Sequence, residues 1–148
     1  MIAFPPLIWL VGAIISALLH FFVFQLPITT NYRVCLGCGI FSFMLAPVLA
    51  LSALFTMLSA GTNVDPAKPA LTIVRGGPFR FTRNPMYLAL CLLQIAFGFF
   101  LNDWITLLFV VPLALLLHFG VILREERYLE GKFGEEYLAF KRTVRRWI

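Results

Sequence analysis

The sequence predicts an all-α integral membrane protein with about four transmembrane helices and a C-terminal amphipathic helix in the membrane interface. Of its 148 residues, 61% are hydrophobic and only 13% are charged, whereas soluble domains average about 45–50% apolar and about 25% charged residues. The apolar residues form four long stretches that contain almost no charge. Lys and Arg lie almost entirely on one side of these stretches. These observations argue against a soluble globular enzyme, a disordered chain and a disulfide-rich secreted module.

The four apolar stretches predict spans at about residues 7–26, 34–58, 84–101 and 105–123, within one domain that covers residues 1–148. An α-helix rises about 1.5 Å per residue, so crossing the hydrocarbon core takes about 20 apolar residues. The third stretch is short and needs Asn84 and Pro85 at its start, where Asn84 is suited to cap the helix. Only residues 102–104 separate the third and fourth stretches, which predicts an antiparallel hairpin.

The distribution of basic residues predicts the orientation of the spans. Four Lys or Arg residues lie between the second and third spans and seven follow the fourth, whereas Arg33 alone lies on the other face. Because loops rich in Lys and Arg stay on the cytoplasmic side, both termini are expected in the cytoplasm, and a bacterial inner membrane is the expected location. The net charge of +5 therefore indicates contact with membrane lipids rather than with nucleic acid.

The C-terminal tail carries an apolar stripe with a mean spacing of 3.6 residues, the period of one helix face. Its members are Leu129, Phe133, Tyr137, Phe140, Val144 and Trp147. The other positions carry Lys, Arg and Glu, which predicts a helix that lies in the interface plane. Gly131 and Gly134 disfavour helix and predict a kink or break.

Two polar segments, residues 61–87 and 124–148, are the expected location of any chemistry. The first is rich in Gly and Pro, which predicts a shaped loop. The second opens with Arg124-Glu125-Glu126-Arg127 at the end of the fourth span, where paired acids are costly unless they meet a cation or a ligand. A surface network of Arg and Glu is the structural alternative. The three cysteines lie in apolar runs without further ligands nearby, so no metal site is expected.

The polar motifs occur in an order that resembles a known family. Leu-Thr-Ile-Val, Gly-Pro-Phe-Arg, Arg-Asn-Pro-Met-Tyr, a hydrophobic hairpin, Glu-Glu and Phe-Gly-Glu-Glu-Tyr follow one another between Gly61 and Trp147. This order is similar to that of the isoprenylcysteine carboxyl methyltransferase and phospholipid methyltransferase superfamily. The resemblance implies an integral membrane enzyme that uses S-adenosylmethionine, held between the last hairpin and the tail.

The resemblance also implies which residues bind the cofactor. The family's His-Pro-x-Tyr motif falls on Asn84, Pro85, Met86 and Tyr87, so an asparagine replaces the histidine. The family's hydrophobic cofactor segment falls on Leu71, Thr72, Ile73 and Val74, followed by an aromatic residue at Phe79. The family's cofactor-binding glutamate falls on Glu125, beside Glu126. A glutamate can bind the ammonium or ribose hydroxyls of the cofactor, and an arginine can bind its carboxylate.

The resemblance therefore implies methyl transfer, and the acceptor is expected to be a lipophilic small molecule or lipid that arrives through the bilayer. The family's substrate-binding arginine falls near Gly120 or Val121, and Arg124 is the candidate replacement if the acceptor is anionic. His118 is the candidate base for an amine acceptor, with a hydrogen-bonded interior histidine as the alternative. The oligomeric state stays open.

Three other functions are also considered. One is N-methylation of a phospholipid amine. The second is reduction by a membrane reductase that uses NADPH, and the third is transport by a small four-span protein. A proton-coupled transporter needs an acid deep in a span, and no predicted span contains Asp or Glu.

Overall fold

The computed structural model describes residues 4–64 and 68–148, and every named element in these ranges is helical. The elements are α1 (Pro5–Phe22), α2 (Tyr32–Ser59), a 3-10 turn (Gly77–Arg80), α3 (Pro85–Phe100), α4 (Trp104–Leu108), α5 (Val110–Leu117), a π-helical turn (His118–Ile122), α6 (Leu123–Phe133) and α7 (Glu135–Thr143). Three helical stretches are long and apolar enough to cross a membrane, and α3 is a shorter apolar helix. The predicted all-α membrane fold is confirmed. Residues 65–67 of the predicted polar segment 61–87 lie outside the described residues.

α1 ends at Phe22, earlier than the predicted end of the first span near residue 26. Pro27 disfavours helical backbone at Leu26, the residue before it. Both polar backbone groups of Leu26 instead bind the turn between α3 and α4. Its N–H donates to the Asp103 carboxylate at 2.9 Å, and its carbonyl accepts from the Trp104 N–H at 2.8 Å.

The predicted hairpin of α3 and α4 is present and is tightly packed. A Cβ atom added at Gly98 would lie 2.4 Å from the Cα atom of Leu107, so only glycine permits this approach. Asp103 is fully buried and caps α4. Its Oδ2 accepts hydrogen bonds from the backbone N–H of Thr106 at 2.8 Å and from the Thr106 hydroxyl at 2.7 Å. The Gln94 amide donates to the Thr106 carbonyl at 2.9 Å, so this polar side chain crosses between the two helices.

The fourth helical stretch runs from Trp104 to Phe133, a total of 30 residues. At about 1.5 Å per residue it is about 45 Å long, against a hydrocarbon core of about 30 Å. Its last turns, which carry Glu125 and Glu126, therefore extend beyond the apolar core. The π-helical turn lies just before them, a feature that is frequent near functional sites.

The tail breaks into α6 and α7 at Gly134, whose φ of +55° suits glycine and ends α6. The predicted amphipathic character and the break are thus observed. The apolar stripe, however, packs on the protein: Tyr137 and Phe140 are buried, and Trp147 contacts the core that includes Leu117 and Val121. The tail therefore forms one wall of the protein interior as well as a polar outer surface.

Candidate functional site

A cavity of about 920 Å³ lies at the basic end of the helices, the end that carries residues 68–87 and 124–148. Its walls come from α2, residues 62–64 and 68–79, the start of α3, α6 and α7, and the first residues of α1. Ligand sites in proteins commonly measure about 300–1,000 Å³. The cavity is therefore large enough for a nucleoside-sized ligand and part of a second molecule.

The lining changes from polar to apolar along α2. The polar wall is formed by α6, α7 and residues 83–87. The apolar arm of the cavity is formed by Pro5, Phe43, Pro47, Leu51, Leu90 and Leu93. From Met57 to Phe43 the cavity follows α2 for 14 residues, or about 21 Å. Such a cavity suits ligands with a polar head and a long apolar tail.

Glu126 lies at the centre of a buried ion-pair network in the polar wall. It is 4% exposed, and its carboxylate accepts from Arg146 through Nε at 2.8 Å and Nη2 at 2.7 Å. Nη2 of Arg83 lies 3.0 Å from the same carboxylate, and Nζ of Lys141 lies at 3.9 Å. The hydrogen bonds to Glu126 raise the pKa of Arg146 above its ordinary value. The Glu126 carboxylate is thus already paired with cations of the protein, so its role is to hold these side chains together.

Glu125 is in a different environment although it is the neighbouring residue. Its Oε1 accepts a hydrogen bond from the Tyr87 hydroxyl at 2.6 Å, and both residues line the cavity. Within residues 4–64 and 68–148, no side-chain cation lies within 4.0 Å of its carboxylate. A half-buried carboxylate with only a phenol as partner can bind a cationic ligand group.

Arg83 and Tyr137 complete the polar wall. The Arg83 side chain is 7% exposed, and its Nε and Nη1 are buried without a hydrogen-bond partner among the described residues. Burial raises the pKa of Tyr137 to about 12, with the negative charge of Glu126 adding to the effect. Tyr137 therefore stays neutral at physiological pH, and it lines the cavity beside Arg83.

The chain after α7 is attached to the residues before α3. The backbone N–H of Arg83 donates to the Arg145 carbonyl at 3.0 Å, and the Asn84 amide donates to the Arg146 carbonyl at 2.9 Å. The predicted capping role of Asn84 is wrong, because its side chain makes no hydrogen bond to the N-terminus of α3. Asn84 instead holds the segment that brings Arg146 to Glu126.

Most of the residues predicted for the cofactor site meet at this cavity. Those that line it are Thr72, Ile73, Val74, Phe79, Asn84, Pro85, Met86, Tyr87, Glu125 and Glu126. Leu71 does not line the cavity and is 60% exposed. Its backbone N–H donates to the Thr62 hydroxyl at 2.9 Å, so it helps to shape the loop.

The two residues predicted to orient the acceptor lie outside the cavity lining. Nδ1 of His118 accepts from the Trp147 indole at 3.2 Å, so this ring fixes the end of the tail. Arg124 is exposed, since successive helix residues point about 100° apart and Glu125 takes the position that faces the cavity. The geometry therefore does not favour an acceptor role for either residue.

Two members of the polar wall, Arg83 and Tyr137, were not predicted, and neither was Arg146, which does not line the cavity but pairs with Glu126. Arg83 directly precedes the Asn84-Pro85 motif, so its position was a usable signal. Tyr137 was recognised only as part of the apolar stripe. Arg146 is 20 residues from Glu126 in sequence, and no local pattern indicates that the two side chains meet.

Comparison with known proteins agrees with this geometry. The family model for phospholipid methyltransferase matches residues 32–136, which begin with α2 and end inside α7. An uncharacterized protein of Haemophilus influenzae is 43% identical over 63 residues, which are 43% of this chain and 100% of that protein. No solved structure matches the chain significantly. The matched region is more than half of the chain and contains most of the cavity wall. The chain therefore belongs to the phospholipid methyltransferase family and is a membrane methyltransferase.

Proposed function

We propose that the protein transfers a methyl group from S-adenosylmethionine to a lipophilic acceptor, as isoprenylcysteine carboxyl methyltransferases do. The observation that carries the proposal is a single cavity with two unlike ends. One end has a charged wall with Glu125 and Arg83, and the other is an apolar arm between α1, α2 and α3. A polar cofactor at the charged wall and an apolar acceptor in the arm can meet where the arm opens onto the charged wall.

The residues of the polar wall fit the cofactor. Among the described residues no cationic side chain pairs with Glu125, so it can accept hydrogen bonds from the cofactor's ammonium or ribose hydroxyls. Tyr87 and Phe79 present aromatic rings, which suit both an adenine face and a positively charged sulfur. Thr72, Ile73 and Val74 supply an apolar edge beside them.

The chemistry needs alignment more than proton transfer. The bound cofactor supplies an electrophilic methyl group, and its S–C bond breaks as the acceptor–methyl bond forms. The Tyr87–Glu125 hydrogen bond fixes the rotamers of both groups that face the cofactor. The apolar lining of the arm disfavours water near the reacting groups. Holding the methyl donor and the acceptor in the reactive orientation can lower the activation barrier of the transfer by roughly 7–11 kcal/mol.

The cavity favours an acceptor that is already anionic, such as the carboxylate of a prenylated cysteine. An amine must lose a proton before it attacks, which requires a base. The described lining contains no histidine, Glu126 is occupied by Arg83 and Arg146, and Glu125 is the residue proposed to bind the cofactor. A carboxylate acceptor needs no base, so we place N-methylation of a phospholipid amine second.

We further propose that the basic end faces the cytoplasm of a bacterial inner membrane, since the family match does not decide the orientation. A periplasmic reporter fused after Asn102 should be active, and one fused after Ile148 should be silent. Strong activity at the C-terminal fusion would contradict this orientation.

A binding comparison tests the cofactor. Purified protein in lipid nanodiscs is titrated with S-adenosylhomocysteine, NADPH and tetraphenylphosphonium. Saturable binding of S-adenosylhomocysteine alone is expected. Binding of NADPH or of the lipophilic cation in its place would support a reductase or a transporter and would contradict the proposal.

A further inference from the structure

Five buried polar side chains lie near the ends of the helices opposite to the basic end. This polar cluster consists of Ser16 and His20 on α1, Gln94 on α3, and Asp103 and Thr106 at the start of α4. Each of the five is 8% exposed or less, and their contacts link α1 to the hairpin of α3 and α4. None of them lines the cavity, and the proposed methyl transfer uses none. The polar cluster is therefore a separate feature of the fold.

Asp103 brings a negative charge into the polar cluster. It has no exposed surface, and its carboxylate accepts hydrogen bonds from the backbone N–H groups of Leu26 and Thr106 and from the Thr106 hydroxyl. Burial raises the pKa of Asp103, but these hydrogen bonds outweigh burial and hold the pKa below its ordinary value. The carboxylate is therefore ionised at neutral pH. Because all three donors are uncharged, a cation beside this buried charge would stabilise it further.

His20 is the titratable residue that faces this carboxylate. Its Nδ1 lies 3.5 Å from Oδ2 of Asp103 and is buried without a hydrogen-bond partner within residues 4–64 and 68–148. If Nδ1 carried no proton, its lone pair would face a negatively charged oxygen. A proton on Nδ1 turns this contact into an attraction between a donor and a charged acceptor. The distance is longer than that of a formed hydrogen bond, about 2.7–3.2 Å, so protonation can shorten it.

Among the described residues, no second charged group lies within 4.0 Å of His20. α1 packs against α3, α4 and α5. α4 and α5 contain no titratable residue. On α3, Tyr87 lies at the basic end and Cys91 packs into the apolar core. Arg33, near the start of α2, is exposed and forms no ion pair in the described part of the chain. Asp103 is therefore the charge that His20 meets.

We propose that His20 and Asp103 form a proton-binding site, in which the imidazole takes up one proton and holds it between Nδ1 and Oδ2. His20 is 8% exposed and lies two residues before the end of α1, so water at this end of the protein can supply the proton. Asp103 also binds the backbone of Leu26, in the segment after α1. The protonated pair thus fastens the end of α1 to the hairpin, and loss of the proton loosens it.

Nitrogen-15 spectra of histidine-labelled protein in lipid nanodiscs show which ring nitrogens carry a proton. The chain has two histidines, and His20→Gln identifies the signals of His20 by their loss. Spectra are recorded between pH 5 and 8, where histidine side chains commonly change charge, for the wild-type protein, Asp103→Asn and Gln94→Met. Gln94→Met is the matched control. It keeps a side chain of similar size but removes the neighbouring amide, whose Oε1 is also buried without a partner among the described residues.

We expect the wild-type His20 ring to carry a proton on both nitrogens at a pH where the ring in Asp103→Asn carries only one. Gln94→Met should match the wild type. A wild-type ring with a bare Nδ1 throughout the range would overturn the inference, and so would equal protonation in the wild type and Asp103→Asn. A change confined to Gln94→Met would mean that the amide holds the ring, which would also overturn it.

Thermal unfolding gives a second readout that does not require Asp103→Asn to fold. His20→Gln leaves the three hydrogen bonds of Asp103 in place, so this variant should fold. A proton that binds more tightly to the folded state stabilises it at low pH, and the stabilisation is lost as the pH rises and the proton leaves. The unfolding midpoint of the wild type should therefore exceed that of His20→Gln by more at pH 5 than at pH 8. An equal difference at both pH values would contradict the proton-binding site.

Discussion

Glu125 and Glu126 are adjacent, chemically identical residues for which the structure predicts opposite phenotypes. Glu125→Gln keeps an oxygen that accepts from the Tyr87 hydroxyl but removes the charge available to the cofactor. Loss of a hydrogen bond to a charged group costs about 1.5–3 kcal/mol, so the affinity for S-adenosylhomocysteine should fall roughly ten- to a hundred-fold. The thermal unfolding midpoint should change little, because Glu125 forms no ion pair within the part of the chain that the structure describes.

Glu126→Gln should instead destabilise the fold. Glu126 is 4% exposed and pairs with two arginines, and removing one partner from a buried ion pair costs about 3–5 kcal/mol. At about 2–4 °C per kcal/mol for a chain of this size, the unfolding midpoint should fall by roughly 10 °C.

Calorimetric titration and thermal unfolding are measured on both variants, with Glu136→Gln as a control for an exposed ion pair with Arg75. The control should differ from wild type by less than about 1 kcal/mol. If Glu125→Gln binds S-adenosylhomocysteine as tightly as wild type does, Glu125 belongs to a surface network and the cofactor assignment is refuted.

Three further predictions concern the frame of the site. Asp103→Ala should lower the unfolding midpoint by an amount equivalent to about 3 kcal/mol, because Leu26 and Thr106 lose a buried acceptor, and it should leave cofactor affinity unchanged. Gly98→Ala should destabilise by about 1–3 kcal/mol, whereas Gly12→Ala, which has open space around it, should not; equal effects would contradict the hairpin packing. Phe43→Ala should lengthen the apolar arm and raise the rate with geranylgeranyl-cysteine relative to farnesyl-cysteine, and an unchanged ratio would place the acceptor tail elsewhere.

The helices could be predicted from the sequence because the bilayer imposes a simple composition rule. Apolar stretches of about 20 residues were enough to predict where each membrane-spanning helix lies. In the tail, Gly134 was one of two glycines predicted to interrupt the helix, and α6 ends there. The end of α1 was missed because it depends on Asp103, whose carboxylate binds the Leu26 backbone across the fold. Such a contact between distant residues leaves no periodic signal.

The site was only partly predictable for a related reason. Motif residues such as Tyr87 and Glu125 could be recognised by their type and order. The partner of each charge could not, because Arg83 and Arg146 are distant from Glu126 in sequence and only the folded chain brings the three side chains together. His118 was predicted from its position on the helix before Glu125, and Arg124 as a replacement for the family's arginine. Neither residue lines the cavity: Trp147 engages the His118 ring, and Arg124 is exposed.

The central claim is that this membrane protein methylates a lipophilic carboxylate with S-adenosylmethionine. The most direct measurement incubates the purified protein in nanodiscs with methyl-labelled S-adenosylmethionine and either N-acetyl-farnesyl-cysteine or phosphatidylethanolamine, and then determines which lipid carries the label. We expect label in the farnesyl-cysteine product, released by mild alkali as a methyl ester should be, and roughly ten- to a hundred-fold slower labelling with Glu125→Gln at subsaturating cofactor. Alkali-stable label on phosphatidylethanolamine would contradict the carboxylate assignment, and absence of label from every lipid would contradict the claim itself.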